Sequence, residues 1–269
     1  MKDWLKRTLV EPGSKVDLSD HAPDDDLGLD REDAEAEVAD LAVTLADLGT
    51  RLAANHRQAL LVVLQGMDAS GKDGAVKHVL GAFNPMGLQV TSFKAPTATE
   101  LAHDFLWRVH AACPPRGMVG IFNRSHYEDV LVVRVEGLVP EDVWKARYDA
   151  INAFERSLVA EGTTIVKLHL HISPAEQAER FRERLADPSK NWKFSPDDLE
   201  KRKKWDAYME AYRVMLERTS TEWAPWYVVP ADRKWVRNWV ASKAIERALD
   251  GLHLEYPELP EAIRDLKVE

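Results

Sequence analysis

Apolar residues fall into two rhythms along this chain. Nearly unbroken apolar runs occur at "ALLVVL" (59–64), "GMVGIF" (117–122), "TTIVKLHLH" (163–171) and "WYVVP" (226–230), as expected of strands buried on both faces. Elsewhere the spacing is helical, as at Val38, Leu41, Leu45, Leu48 and Leu52. The pattern predicts a docking helix from Asp30 to about Arg57, then strand 59–65, helix 72–83, strand 88–94, helix 98–112, strand 117–122, helix about 140–161, strand 163–171 and helix 174–186. After a charged segment at 187–204 it predicts a helix to about Arg218, a short strand at "WYVVP" and a last helix over 232–250. Strands alternating with helices imply right-handed crossovers and an α/β fold, a parallel sheet covered by helices on both faces. Residues 11–30, "EPGSKVDLSDHAPDDDLGLD", are rich in Pro, Gly and Asp and read as an extended or loosely attached arm.

Charge separates the arm from the body. Residues 1–50 hold 5 Lys/Arg and 14 Asp/Glu, which accounts for the whole formal charge of -9, so the rest of the chain is balanced. An acidic arm argues against general binding to nucleic acid or an anionic membrane, while the body can still concentrate positive charge locally. Cys113 is the sole cysteine, which excludes an intrachain disulfide and suits a reducing compartment. The first 20 residues have no apolar signal-peptide core, and no run has the length of a membrane span. A cytoplasmic protein is expected.

The candidate chemistry begins at "GMDASGKDG" (66–74), which satisfies G-x-x-x-x-G-K between a strand and a helix. Gly66, Ala69, Ser70, Gly71, Lys72, Asp73 and Gly74 form the expected phosphate cradle. Its backbone N–H groups converge on phosphate oxygens and Lys72 supplies a point charge. Asp73 stands where Ser or Thr usually follows the lysine, and Asp68 adds a second carboxylate. Two carboxylates beside a polyanion favour a metal-loaded phosphoryl-transfer site, with Asp68 and Asp73 as metal ligands and Glu128 or Asp129 as alternatives, a solvated helix start being the other reading of that last pair. For Asp68, capping of its own loop is the other reading.

The strand at 117–122 runs into "NRSHYED" at the carboxyl edge, where ligands of open α/β sheets bind. Arg124 can grip a phosphate there, or pair structurally with Glu128. The Asp that commonly ends this strand is replaced by Asn123. Residues 180–204 carry 9 basic and 5 acidic residues, which suits either a lid folding cations over phosphates or a solvated charged loop. Lys201, Arg202, Lys203 and Lys204 read as its solvated part. His169 and His171 share one strand face and read as half-buried sheet residues without a third metal ligand. Trp223, Trp226, Trp235 and Trp239 read as core and interface.

Taken in order, "GMDASGKDG", "FNPMGLQVTSFKAPT", "PPRGMVGIFNRSHYEDV", "ERFRERLADPSKNWKFSPDD", "KKWDAYMEAY" and "TSTEWAPWYVVPADRKWVRN" resemble the family 2 polyphosphate kinases over roughly Ala34 to Leu249. The resemblance implies a P-loop, thymidylate-kinase-like three-layer α/β/α fold with a helical lid. With the charge pattern, the chain is expected to divide into an acidic N-terminal arm (1–30) and a single P-loop kinase domain (31–269) with the lid at about 187–204. The resemblance also implies reversible, Mg²⁺-dependent phosphoryl transfer between inorganic polyphosphate and AMP, ADP or ATP, with Mn²⁺ as a substitute metal. The form "NRSHYED" resembles the subgroup acting on both nucleoside mono- and diphosphates. Asp68, Lys72 and Arg124 become the catalytic group, with Arg184, Lys190 and Lys193 as lid cations. Many relatives carry Asp at position 123 and an Arg-type residue at 129, so the general base is in question. Two other functions fit the residues: an ATP-dependent nucleoside monophosphate kinase, and a non-catalytic P-loop protein that binds nucleotide. The helix 34–55 and the tryptophan-rich C-terminal helix suit either a homo-oligomer, dimer or tetramer, or packing within one chain.

Overall fold

The apolar run at 59–65 becomes β1 (Ala59–Gln65), the central strand of the sheet, with every residue buried. The computed structural model describes residues 3–261 and Arg264, so the first two residues of the arm and residues 262, 263 and 265–269 lie outside the described residues. In chain order α1 (Asp3–Thr8) and α2 (Arg31–Asn55) precede β1, followed by α3 (Lys72–His78), β2 (Leu88–Ser92), α4 (Ala98–Leu101), α5 (Trp107–Ala112) and β3 (Val119–Asn123). Then come α6 (Glu128–Val135), α7 (Glu141–Ala160), β4 (Thr163–His171), α8 (Pro174–Ala186), α9 (Pro196–Lys203), α10 (Trp205–Thr219), β5 (Trp226–Pro230) and α11 (Lys234–Asp250).

The five strands pair in the order β2-β3-β1-β4-β5, all parallel. Because side chains alternate along a strand, the sheet's faces build two cores. Leu60, Val62 and Leu64 pack with residues of α1, α2, α3 and α11. Leu61 and Val63 pack with residues of α5, α6, α7 and α10. The result is three layers. Register brings Leu64 beside Asn123 and Gln65 beside His169, so the turns leaving β1, β3 and β4 meet at one edge. The chain leaves β1 toward β2 on one side, whereas β3 leads to β4 on the other, which makes this edge the switch point where α/β sheets bind ligands.

Four differences from the sequence expectation stand out. The arm is docked: Trp4, Leu5, Val10, Val16 and Leu27 are buried, and Val10 N donates to Trp226 O at 2.9 Å. Trp4 stacks on Tyr227 and meets Trp239 edge-on. Helix 98–112 is two short helices, because the Asp104 carboxylate takes the Leu106 N–H at 2.9 Å and turns the chain locally. The polar run after Asn123 opens α6, whose Val130 and Leu131 join the core. His169 and His171 are buried rather than half-buried, and His169 lies 4.5 Å from the Tyr212 ring.

Candidate phosphoryl-transfer site

The turn after β1 is held from inside and from behind. Lys72 folds back over it, donating from Nζ to Gly66 O at 2.6 Å, to Met67 O at 3.0 Å and to Ser70 Oγ at 3.5 Å. Burial, reinforced by the nearby Arg124 charge, lowers the Lys72 ammonium to a pKa of about 8. Gly71 has φ +102, and a Cβ there would lie 2.1 Å from Arg237 Nη1, so no other residue fits without moving that buried arginine. Arg180, also buried, donates to Ala69 O at 2.9 Å and to the carbonyls of Ala231 and Asp232. Burial lowers Arg237 to a pKa of about 10, with the Arg180 charge adding to the effect.

Two carboxylates stand over the turn, each holding cations. Asp68 Oδ1 accepts from Arg124 Nη2, and Asp68 Oδ2 accepts from Lys201 Nζ at 3.3 Å. Burial opposes its ionisation, but Arg124, Lys72 and Lys201 together keep the carboxyl below its usual range. Asp73 accepts from Asn123 Nδ2 at 3.0 Å and from Lys193 Nζ at 3.1 Å. Those bonds outweigh burial and keep it ionised too. An amide at 123 suits this geometry, because a second carboxylate facing Asp73 would repel it. Arg124 takes φ +62 with its N–H donating to Leu64 O at 3.1 Å, a left-handed turn that aims its side chain at Asp68 and Glu128.

The site residues expected from sequence separate into those the fold gathers and those it does not. Gly66, Ala69, Ser70, Gly71, Lys72, Asp73, Gly74, Asp68, Arg124 and Lys193 converge on the β1 turn or its partners. Arg184 instead faces Asp198 at 3.9 Å, and Lys190 pairs with Asp187 at 2.7 Å. Glu128 lies 3.5 Å from Arg124. Asp129 pairs with Arg147 at 3.1 Å, yet burial raises its carboxyl above the usual range. Lys201 and Arg202, read as solvated, both make contacts that end on Asp68 or its support. Sequence reading passed over Gln177, Arg180 and Arg237. For the first two a signal existed, since Gln177, Arg180 and Arg184 fall at helical spacing on α8; nothing singled out Arg237.

A second polar cluster supports the β3–α6 turn. Lys167 donates its three protons to Tyr127 OH at 2.9 Å, Glu155 Oε2 at 2.7 Å and Thr219 O at 2.6 Å. Glu155 Oε1 also accepts from Tyr127 OH at 2.6 Å and meets His126 Nε2 at 3.2 Å. His126 and Tyr127 directly follow Arg124 and Ser125, so this cluster anchors the turn that carries the arginine. Among the described residues no group of three or more His, Cys, Asp or Glu side chains has the arrangement of a self-sufficient metal site. Nor is any described helix long and apolar enough to cross a membrane.

Comparison with known proteins gives this geometry its context. The family model for Polyphosphate kinase 2 matches residues 28–256. The chain belongs to the polyphosphate kinase 2 family. Within that family, an AMP/ADP-polyphosphate phosphotransferase from Meiothermus ruber is 48% identical over 267 residues, covering 98% of this chain and 100% of the relative. An ADP-polyphosphate phosphotransferase from Rhodopseudomonas palustris is 45% identical, covering 98% and 96%. The crystal structure of polyphosphate kinase 2 from Arthrobacter aurescens superposes with a TM-score of 0.90 at 45% identity, over 96% of this chain and 92% of that one.

Proposed function

We propose that this chain transfers a phosphoryl group reversibly between inorganic polyphosphate and AMP or ADP, with Mg²⁺ as its metal and Mn²⁺ as a substitute. The observation that carries the reading is the near full-length similarity to an AMP/ADP-polyphosphate phosphotransferase, together with six cationic or acidic groups drawn to one phosphate-binding turn. Asp68 and Asp73 fit a Mg²⁺ site of the kind completed by phosphate oxygens and water: both are ionised, and the Asp73 side chain is 65% exposed and free to reorient. When bound, the ion would neutralise charge on the phosphates being exchanged.

The chain's own residues do the rest. Lys72 lies under the cradle and Arg124 beside it, placed to screen charge on the transferring group once polyphosphate displaces their present partners. Lys193 and Lys201 are the cations of the 187–204 segment nearest the turn. Arg184 and Lys190 would reach phosphates by exchanging Asp198 and Asp187 for them. No carboxylate base is required at Asn123, because a nucleotide phosphate acceptor arrives already ionised and needs orientation rather than deprotonation. The same reading gives polyphosphate, AMP, ADP and ATP as the partners of a cytoplasmic homo-oligomer, a dimer or tetramer. Formation of ADP and ATP from AMP and long-chain polyphosphate, with Mg²⁺ and no added ATP, is expected from wild type and not from Lys72→Ala. Activity with ATP and AMP but none with polyphosphate would overturn the proposal in favour of an ordinary monophosphate kinase.

A further inference from the structure

Asp68 is approached from two sides by neighbouring residues of one helix. Lys201 of α9 reaches its carboxylate directly at 3.3 Å. The next residue, Arg202, reaches its backbone through one intermediary: Arg202 Nη1 donates to Gln177 Oε1 at 3.0 Å, and Gln177 Nε2 donates to Asp68 O at 2.9 Å. Arg202 Nη1 also donates to Pro174 O at 2.7 Å, in the first turn of α8. Gln177 is 1% exposed, so its amide has no water to fall back on. Its orientation is unambiguous, since the flipped amide would set donor against guanidinium and acceptor against carbonyl.

We infer that Gln177 and Arg202 are positioning residues that couple the placement of α9 to the conformation of the phosphate-binding turn at Asp68. If α9 moves off α8, Arg202 leaves with it, Gln177 loses the acceptor contact that orients its amide, and the Asp68 carbonyl loses its fixed donor. The adjacent residue Ala69 is held in a left-handed conformation, φ +64, with its carbonyl on Arg180. A shift at Asp68 therefore falls on a strained turn, and an error of about 1 Å in such a group is enough to slow transfer without abolishing binding. The charged segment thus acts on the turn through its backbone as well as through its cations.

The inference rests on the polyphosphate-transfer reading for its kinetic consequence but not for its structural one, and the tests separate the two. Gln177→Met and Arg202→Met are each expected to lower kcat for polyphosphate-driven phosphorylation of AMP about tenfold with KM for polyphosphate within about twofold. The double variant is expected to be no slower than either single one, as for residues acting in one chain. Arg202→Lys restores most of the rate, because one donor serves both acceptors. Independently of activity, amide hydrogen exchange across residues 67–71 is expected to rise at least about fivefold in Arg202→Met and no further in the double variant. Unchanged exchange in that turn, or rate losses that multiply in the double variant, would overturn the coupling. Variants that exchange as expected, in a protein whose wild type ignores polyphosphate, would overturn the proposed function and leave the coupling standing.

Discussion

Two ionic clusters meet at the turn before α6, where Arg124 belongs to one and Tyr127 to the other, and they have opposite characters. Around Glu155 and Lys167, both fully buried, each ammonium proton has an acceptor and the carboxylate is shared by a tyrosine, a histidine and the lysine. Around Asp68 the pairs are partly open, with side chains of Arg124 at 33% exposure and Lys201 at 29%. A closed cluster whose buried charges are paired acts as scaffold, since nothing can enter without leaving a buried charge unpaired. An open one can trade partners. On the proposed function its cations would turn to phosphate oxygens, which would free its carboxylates for a metal. The presence of a salt bridge therefore says little by itself; exposure and unsatisfied capacity decide whether it is structure or site.

The sharpest way to break this contrast is Lys167→Met. It leaves Glu155 buried without its cation and is expected to destabilise the fold by about 3–5 kcal/mol, read from urea unfolding. Adding Glu155→Leu should recover part of that loss, whereas a single-variant loss below about 1 kcal/mol would remove the distinction between the clusters. Next in size, Arg124→Ala is expected to slow transfer about 10²–10³-fold while leaving the urea midpoint close to wild type, the reverse pattern.

A pH series sharpens the comparison further. Lys72 titrates at about 8 in the folded protein against 10.5 without its surroundings. As pH passes about 8, kcat/KM for polyphosphate should fall, approaching tenfold per unit, as the free enzyme loses this charge. Between those two values the unfolded chain binds the extra proton, so the contribution of Lys72 to stability rises with pH while activity drops. Steady-state rates and thermal melts across this range test both signs, and Lys72→Arg should flatten the alkaline limb of the rate. Smallest of all, Lys193→Ala should change stability by less than about 1 kcal/mol, because its pair with the exposed Asp73 is screened by solvent; a larger shift in the melt would place that pair with the scaffold.

Legibility followed the same division between local and gathered features. β1, β4 and β5 appear at the residues the apolar runs marked, because strands covered on both faces need continuous apolar sequence. Of α6 only a start at Glu128 or Asp129 was legible, because "EDVLVVRV" is rich in valine and short, with as much strand as helix character; packing beside α7 and α10 decides it. The arm looked loose because Trp4, Leu5, Val10, Val16 and Leu27 have no shared period among its prolines, glycines and aspartates. Trp4 and Val10 are held by β5, with α11 also against Trp4, and Val16 N donates to Glu217 of α10, all partners about 200 or more positions away.

The sequence alone determined the parallel α/β fold, the position of the phosphate-binding turn and the family, since each rests on local patterns: period, glycine spacing and motif order. Only tertiary structure decided which charges act together. It joined Lys201 to Asp68, Lys193 to Asp73 and Asn123 to Asp73, turned Arg184 and Lys190 toward other carboxylates, and sealed Lys167 against Glu155. A run of basic residues specifies how much charge is present. Lys190 and Asp187 are near neighbours, but which group Lys201, Lys193 and Asn123 meet depends on the rotation of a helix and the crossing of distant strands, and no short stretch of sequence contains both partners.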